Sequence, residues 1–284
     1  MTSWTTIVSA EDLAVALGRP GLVLVDCRHS LADADAGEAA WRSAHLPGAG
    51  HAHLDRDLSD HGKPASLGRH PLPDAAGFNR TLARLGVQPG SQVVAYDAGD
   101  GSMAAARFWW LLRAMGHARV AVLDGGVAAW QALGQAMEST PPVIAPGHYD
   151  GSFDAAPVAT AQDVEARLGE APGWLLDARA PERFRGEVEP LDPVAGHIPG
   201  AINRPLSANL QAGRFKSPAA LRADFEALVG GRAPADVVLS CGSGVTACHN
   251  LLAMAHAGLD GARLYAGSWS GWVSDRSRPV ARGD

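Results

Sequence analysis

The chain has 284 residues, 46% of them hydrophobic, with 33 glycines and 19 prolines, which excludes a disordered or fibrous protein and leaves length enough for two domains. A formal net charge of −6 with no basic block gives a nucleic-acid partner no electrostatic support, and no apolar run approaches the roughly 18 residues of a membrane span. Three cysteines, Cys27, Cys241 and Cys248, form no CxxC pair and no even framework, so free thiols in a reducing compartment are expected. The N-terminal MTSWTTIVSAEDL lacks the basic and apolar regions of a secretory signal, and the expected location is cytoplasmic, with no membrane partner.

In chain order, the apolar runs LVLVD (22–26), QVVAY (92–96) and VAVLD (120–124) alternate with helical stretches such as AARFWWLLRAMG (105–116). Beyond a proline-rich stretch, WLLDA (174–178), VVLS (237–240) and RLYA (263–266) alternate with ACHNLLAMAHAG (247–258). This alternation predicts an α/β fold with mainly parallel sheets flanked by helices, and runs apolar on both faces fit strands covered on both sides. The order also repeats. VLVDCR (23–28) matches LLDAR (175–179), AHLPGAGH (44–51) matches GHIPGAIN (196–203), and the block 93–130 matches 237–272. Two tandem domains are therefore expected, 1–137 and 158–284, joined by a linker over 138–157.

Ligands of parallel sheets bind beyond the C-terminal ends of the strands, where Asp97 and Cys241 occupy equivalent places. The second half alone has a nucleophile there. Gly242, Ser243, Gly244, Val245 and Thr246 must turn tightly between strand and helix, which gathers backbone N–H groups at a helix N-terminus. A thiolate at Cys241 gains from those donors and from the helix dipole, so an acidified, reactive thiol is predicted. Cysteine phosphatase chemistry would need arginine six residues on, to close the loop around a phosphoryl group; Ala247 stands there, and the loop itself contains no cation. Cys27 and Cys248 read as buried structural thiols, with a resolving role for Cys248 the lesser alternative.

The repeat, the loop Cys241–Thr246 and both HxPGA segments resemble the tandem-domain rhodanese family of sulfurtransferases, and the segments 68–73, 177–186 and 267–272 add to the likeness. The loop is similar to the variant of the 3-mercaptopyruvate sulfurtransferases. The resemblance implies two rhodanese-like domains, the first non-catalytic with Asp97 at the cysteine position and the second catalytic. It implies an enzyme that takes a sulfane sulfur from 3-mercaptopyruvate onto Cys241 as a persulfide and passes it to a thiol or to cyanide. The acceptor thiol would be a low-molecular-weight thiol or a thioredoxin-like protein, and no metal or organic cofactor is required.

By the same resemblance Ser243 protonates the leaving group, Arg183 grips the donor, and His45 acts with Asp33, or its neighbour Asp35, as a proton relay to Ser243; because the motif recurs at His197, where no relay is needed, a turn-stabilising role for both histidines is the other reading. Thr246 and the backbone of Gly242, Gly244 and Val245 complete the substrate-binding loop. The chain departs from the family at Leu191, where a second substrate arginine is usual, so either Arg185 substitutes for it or the donor differs from mercaptopyruvate. The rival readings are a thiosulfate:cyanide sulfurtransferase, which needs cations near the loop, and a persulfide carrier without turnover. Two further signals are set aside: GDGSMA (99–104) as a dinucleotide site, because it aligns with the cysteine loop of the other half, and His51, His53, His61 and His70 as zinc ligands, because their spacing is not that of a metal site.

Overall fold

The computed structural model describes residues 3–99, 101 and 104–284; Asp100, Ser102 and Met103 of the GDGSMA stretch lie outside the described residues. The chain divides into two compact units. The first holds the chain up to Asp60, Pro73–Asp154 and Ala212–Phe215; the second holds His61–Leu72, Ala155–Gln211 and Lys216–Asp284. The second unit thus draws a segment, 61–72, from sequence well before the expected linker.

The first unit runs β1 (Ile7–Val8), α1 (Ala10–Ala16), β2 (Leu22–Asp26), α2 (Ala36–Ser43), β3 (Gly50–His51), α3 (Leu54–Asp57), α4 (Ala75–Arg84), β4 (Gln92–Tyr96), α5 (Ala104–Ala114), β5 (Val120–Leu123) and α6 (Gly126–Ala132). The second runs β6 (Val158–Ala159), α7 (Ala161–Glu165), β7 (Leu175–Asp177), α8 (Pro181–Phe184), β8 (Ile202–Asn203), α9 (Pro218–Val229), β11 (Val238–Ser240), α10 (Ala247–His256), β12 (Arg263–Tyr265) and α11 (Ser268–Trp272). Two short strands, β9 (Leu210–Gln211) and β10 (Arg214–Phe215), lie outside both five-stranded sheets.

Each sheet is parallel, with strand order β1-β5-β4-β2-β3 in one and β6-β12-β11-β7-β8 in the other, so both units have the same topology. The central strands are buried on both faces, as their unbroken apolar runs require. Helix starts are set by short polar caps: Ser9 accepts from Asp12 N, Asp74 from Gly77 N, and Thr160 forms a capping box with Asp163. Each unit has an aromatic-anchored core, around Tyr96, Leu13 and Trp130 in the first and around Trp174, Trp269 and Trp272 in the second. The described residues of α5 between Ala104 and Leu112 are all buried, so that helix packs on every side rather than along one stripe. No helix among the described residues is long and apolar enough to cross a membrane.

Candidate active site

The second unit's β11 ends at Ser240, and Cys241 follows at the C-terminal edge of the sheet, where α10 has yet to begin. The loop is pinned from one side by the first turn of α11. Trp269 N donates to Cys241 O at 3.0 Å and Ser270 N to Gly242 O at 2.9 Å. Gly244 N donates to Cys241 Sγ at 3.1 Å, which puts an amide dipole on the sulfur. Gly244 has to be glycine: its φ is +76°, and a Cβ there would stand 2.4 Å from Ala266 O. Gly242 adopts no such conformation, and the nearest atoms to a Cβ on it would be guanidinium nitrogens of Arg69 and Arg183, at 3.5 to 3.6 Å. Val245 and Thr246 carry the chain into α10, whose Cys248 and His249 amides close its first turn on Val245 O and Thr246 O. Cys241 is only 1% exposed.

The first unit repeats this frame with a carboxylate. Val127 N and Ala128 N of α6 donate to Asp97 O and Ala98 O, and Gly101 N donates to Asp97 Oδ1 at 3.0 Å. The same kind of cradle therefore holds an anionic oxygen in one unit and the Cys241 sulfur in the other, which argues that it favours negative charge.

Ser268 braces the loop from the α11 side. Its φ is +49°, a left-handed conformation that costs a non-glycine residue of order 1–3 kcal/mol. The matching residue of the first unit is Gly126, with φ +53°. Ser268 is fully buried; its hydroxyl accepts from Cys241 N at 3.0 Å and gives its proton to Tyr265 O at 2.9 Å, with Cys241 Sγ 4.0 Å away. The strained Ser268 thus holds the backbone amide of Cys241 in place. In the sequence this shows only as a serine where the duplicated half has glycine, which does not say what the hydroxyl meets.

Ser243 Oγ shares a hydrogen bond of 2.8 Å with His70 Nδ1, and both residues are buried. The histidine that meets Ser243 is thus His70, from the 61–72 segment, rather than His45. In the first unit His45 Nδ1 is bonded to Trp41 O at 2.7 Å, and in the second His197 Nδ1 is bonded to Phe184 O at 2.9 Å. Both HxPG histidines tie the end of a preceding helix to the turn, a structural role repeated in each half. Asp33 likewise serves its own turn, accepting from Asp35 N at 3.1 Å at the start of α2. In the sequence His70 stands with His51, His53 and His61, and their spacing does not single out the one that meets Ser243. His53, of that group, has both ring nitrogens engaged, with Ala34 O and with the amides of Asp55 and Arg56, so it offers a metal no lone pair despite its nearness to His29 and Asp55.

Cations reach the loop from outside it. Arg183, on α8, donates to Glu189 Oε1 at 2.7 Å, and its two terminal nitrogens stand 3.5 and 3.6 Å from the place of a Gly242 Cβ. Arg69 Nη2 is 3.5 Å from that same place, while its Nη1 donates to Asp192 Oδ1 at 2.6 Å. Arg179 is buried, forks onto Asp177, and lies 3.5 Å from Glu189 Oε2. Burial works against its charge, but Asp177, Glu189 and Cys241 together hold its pKa above the usual value. Burial pushes the Asp192 carboxyl up, against the pull of Arg69; burial also works against the charge of Glu189, but there the Arg183 hydrogen bond prevails and its carboxyl is lowered. Arg185, the candidate substitute arginine, is instead paired with Glu187 two residues away at the surface, at 2.7 Å. Leu191 is 44% exposed, and its only tie to the acid cluster is through the backbone, where its N–H donates to Glu189 Oε1 at 3.0 Å.

The other thiols fit a packing role. Cys27 is buried, and burial followed by the charges of Asp26, Asp97 and Asp57 pushes its pKa well up, which keeps it unreactive. Cys248 Sγ donates to Gly244 O at 3.4 Å and so stabilises the loop from the α10 side.

A rhodanese-like domain model matches residues 9–133 and 160–275. A Pseudomonas aeruginosa protein named "Probable 3-mercaptopyruvate sulfurtransferase" is 48% identical over 280 residues, 98% of each chain. A Mycobacterium tuberculosis relative with a thiosulfate sulfurtransferase name is 43% identical over 285 residues, covering 98% of this chain and 97% of its own. The crystal structure of the Escherichia coli 3-mercaptopyruvate sulfurtransferase superposes with a TM-score of 0.81 at 33% identity, over 94% of this chain and 99% of that one.

Proposed function

The chain belongs to the tandem-domain rhodanese family of sulfurtransferases, and from that premise we propose that it carries sulfur from 3-mercaptopyruvate to a thiol through a persulfide on Cys241. In this reading the Cys241 thiolate attacks the thiol sulfur of the donor. The carbon–sulfur bond breaks, its electron pair leaves with the three-carbon unit as the enolate of pyruvate, and the enolate takes up a proton. Cys241 keeps the outer sulfur until a second thiolate removes it, so the two half-reactions follow ping-pong order.

The observation that carries the donor assignment is the Ser243–His70 hydrogen bond in the cysteine loop. An enolate leaving group needs a proton, and a hydroxyl coupled to an imidazole can hold and replace one at Ser243 Oγ. The amides of the loop and the Gly244 N–H favour the sulfur anion, and Ser268 fixes the backbone that presents it. The guanidiniums of Arg69 and Arg183 suit a carboxylate. Three free thiols accord with a reducing compartment, and a cytoplasmic setting with a small thiol or a thioredoxin-like acceptor follows from that chemistry.

The test is intact-protein mass after incubation with 3-mercaptopyruvate, where a gain of one sulfur atom is expected and is absent in Cys241→Ser. His70→Asn should lower turnover with this donor roughly 100-fold while Cys241 still reacts with iodoacetamide at the native rate. Equal loss of both would remove His70 from the proton path.

Thiosulfate as donor is the second reading, favoured by the cations that Arg69, Arg179 and Arg183 bring near a loop that has none of its own. Those three guanidiniums are met by the carboxylates of Asp177, Glu189 and Asp192, so the cluster is balanced and better suited to a monoanion than to a dianion. Initial rates with the two donors decide between them.

A further inference from the structure

We propose that the second unit holds a further ligand site, one strand away from the Cys241 loop, for a small amphipathic monoanion: an aromatic or other apolar body with a single carboxylate. The site is a cavity of about 400 Å³ beyond the C-terminal ends of β6 and β12, which pair in parallel beside β11. Every lining residue belongs to this one unit. That edge of a parallel sheet is where ligands bind, and the volume is that of a small-molecule site. The walls are mainly aliphatic, with Leu67 and Leu72 supplied by the 61–72 segment and Val158 and Ala159 by β6.

Tyr265, at the end of β12, lines the cavity; it is 2% exposed, and its hydroxyl has no hydrogen-bond partner among the described residues. The hydroxyl borders the gap left by Gly267, another lining residue, since the place of a Cβ there is 3.2 Å from it. Burial pushes the phenol up to about 12, so at neutral pH it keeps its proton and lacks only an acceptor. Lys63 and Arg278 are the charged residues of the lining, and no carboxylate stands among them. Lys63 Nζ donates to Leu72 O at 2.5 Å, which holds the ammonium at the wall, while Arg278 donates to Gly271 O at 3.1 Å and pairs with Glu165. Apolar walls with cations and an idle donor select a molecule that is apolar over most of its surface and anionic at one end.

The first unit fills the matching crevice with its own chain. Leu123 and Asp124 of that unit correspond to Tyr265 and Ala266. Asp124 accepts from Phe215 N at 2.9 Å and stands 4.0 Å from Arg214 Nη1, and Arg214 Cγ is 3.7 Å from the place of a Gly125 Cβ. With tyrosine and alanine at these two places, the second unit keeps the space open. Ala266 also backs the nucleophile's loop, its carbonyl oxygen 2.4 Å from the place of a Gly244 Cβ, so an occupant rests on the brace of that loop and not on Cys241, which is outside the lining.

The experiment titrates 2-naphthylacetate into the full chain by calorimetry, before and after alkylation of Cys241 by iodoacetamide, which blocks the loop. A Kd on the order of 0.1 mM is expected in both states. The matching alcohol, 2-(2-naphthyl)ethanol, should bind roughly tenfold more weakly, and in Lys63→Met the acid's advantage should shrink to about threefold or less. Leu67→Asp puts a negative charge on a wall residue that is 48% exposed, so the urea midpoint should hold while the acid's affinity falls at least about tenfold. Tyr265→Phe removes a hydroxyl that has no partner to lose, so its midpoint should not fall, and the acid should bind about fivefold more weakly.

No binding at millimolar probe overturns the site. Binding that disappears on alkylation places the probe at the nucleophile, and binding that is unchanged in both Leu67→Asp and Tyr265→Phe places it elsewhere on the surface; either result overturns the proposal. Equal affinity for acid and alcohol in the native protein overturns the anionic class. None of these outcomes depends on which sulfur donor the enzyme uses.

Discussion

Two glycines separated by Ser243 carry opposite demands, and the difference is open to test. Gly244→Ala forces an L side chain into φ +76° and a Cβ to within 2.4 Å of a carbonyl oxygen, so a stability loss of about 2 kcal/mol or more is expected in urea unfolding, together with slow persulfide formation. In Gly242→Ala the nearest atoms to the new methyl are guanidinium nitrogens at ordinary contact distance. Its stability should stay within about 0.5 kcal/mol of native, while KM for the carboxylated donor rises because the new methyl stands between the arginines. Ser268→Gly isolates the third residue-scale effect. It relieves a left-handed backbone but removes the hydroxyl on Cys241 N, so the fold should be retained and turnover should fall by an order of magnitude; undiminished turnover would show that the hydroxyl positions nothing.

At the scale of elements, each sheet's central strand hands over to a helix through a loop clasped by the next helix, α6 in one unit and α11 in the other. The clasp is built alike but filled differently. At the left-handed position of the α6 turn a Cβ on Gly126 would lie 2.5 Å from Asp97 O and 2.8 Å from Gly99 N, whereas Ser268 occupies the corresponding place before α11 with its side chain accommodated. Gly126→Ser, which copies the second unit into the first, should therefore destabilise by about 2–3 kcal/mol by thermal or urea unfolding, although the reverse exchange at 268 is tolerated. A neutral Gly126→Ser would mean that the loop carrying Asp97 yields more readily than its tight backbone contacts imply.

For the whole molecule, acid sensitivity follows from buried imidazoles. Burial is the leading cause that lowers the pKa of His29, His51, His117 and His197 from the ordinary 6.5. The folded chain holds these rings neutral, so the unfolded chain takes up protons first. Their contribution to stability is complete above pH 6.5 and is lost as pH falls through the folded values. The urea midpoint should drop between pH 7 and pH 5, before most carboxylates titrate, and His117→Gln should flatten part of that drop. A midpoint that stays constant over this range would show that these rings titrate alike in both states.

The α/β class, the duplication and the placing of Cys241 in a strand-to-helix turn are legible in the amino-acid sequence, because these depend on patterns local in the chain. Apolar runs dictate doubly covered strands, the repeat of VLVDCR, AHLPGAGH and the strand-to-helix block dictates two like folds, and a cysteine in a glycine-flanked turn at a strand end is itself a statement about backbone N–H groups. The partners of that cysteine were not legible. His70 reaches Ser243, Arg69 reaches Gly242 and Ser268 reaches Cys241 N across separations of 173, 173 and 27 residues, and His45, Asp33 and Arg185, closer to recognisable motifs, turn instead to carbonyls, amides and Glu187 nearby. Only tertiary structure decides such pairings. A side chain's reach is a few ångströms, whereas the chain path that brings segment 61–72 into the second unit is fixed by close approaches such as Gly68 to Gly267, which leave no trace in local periodicity.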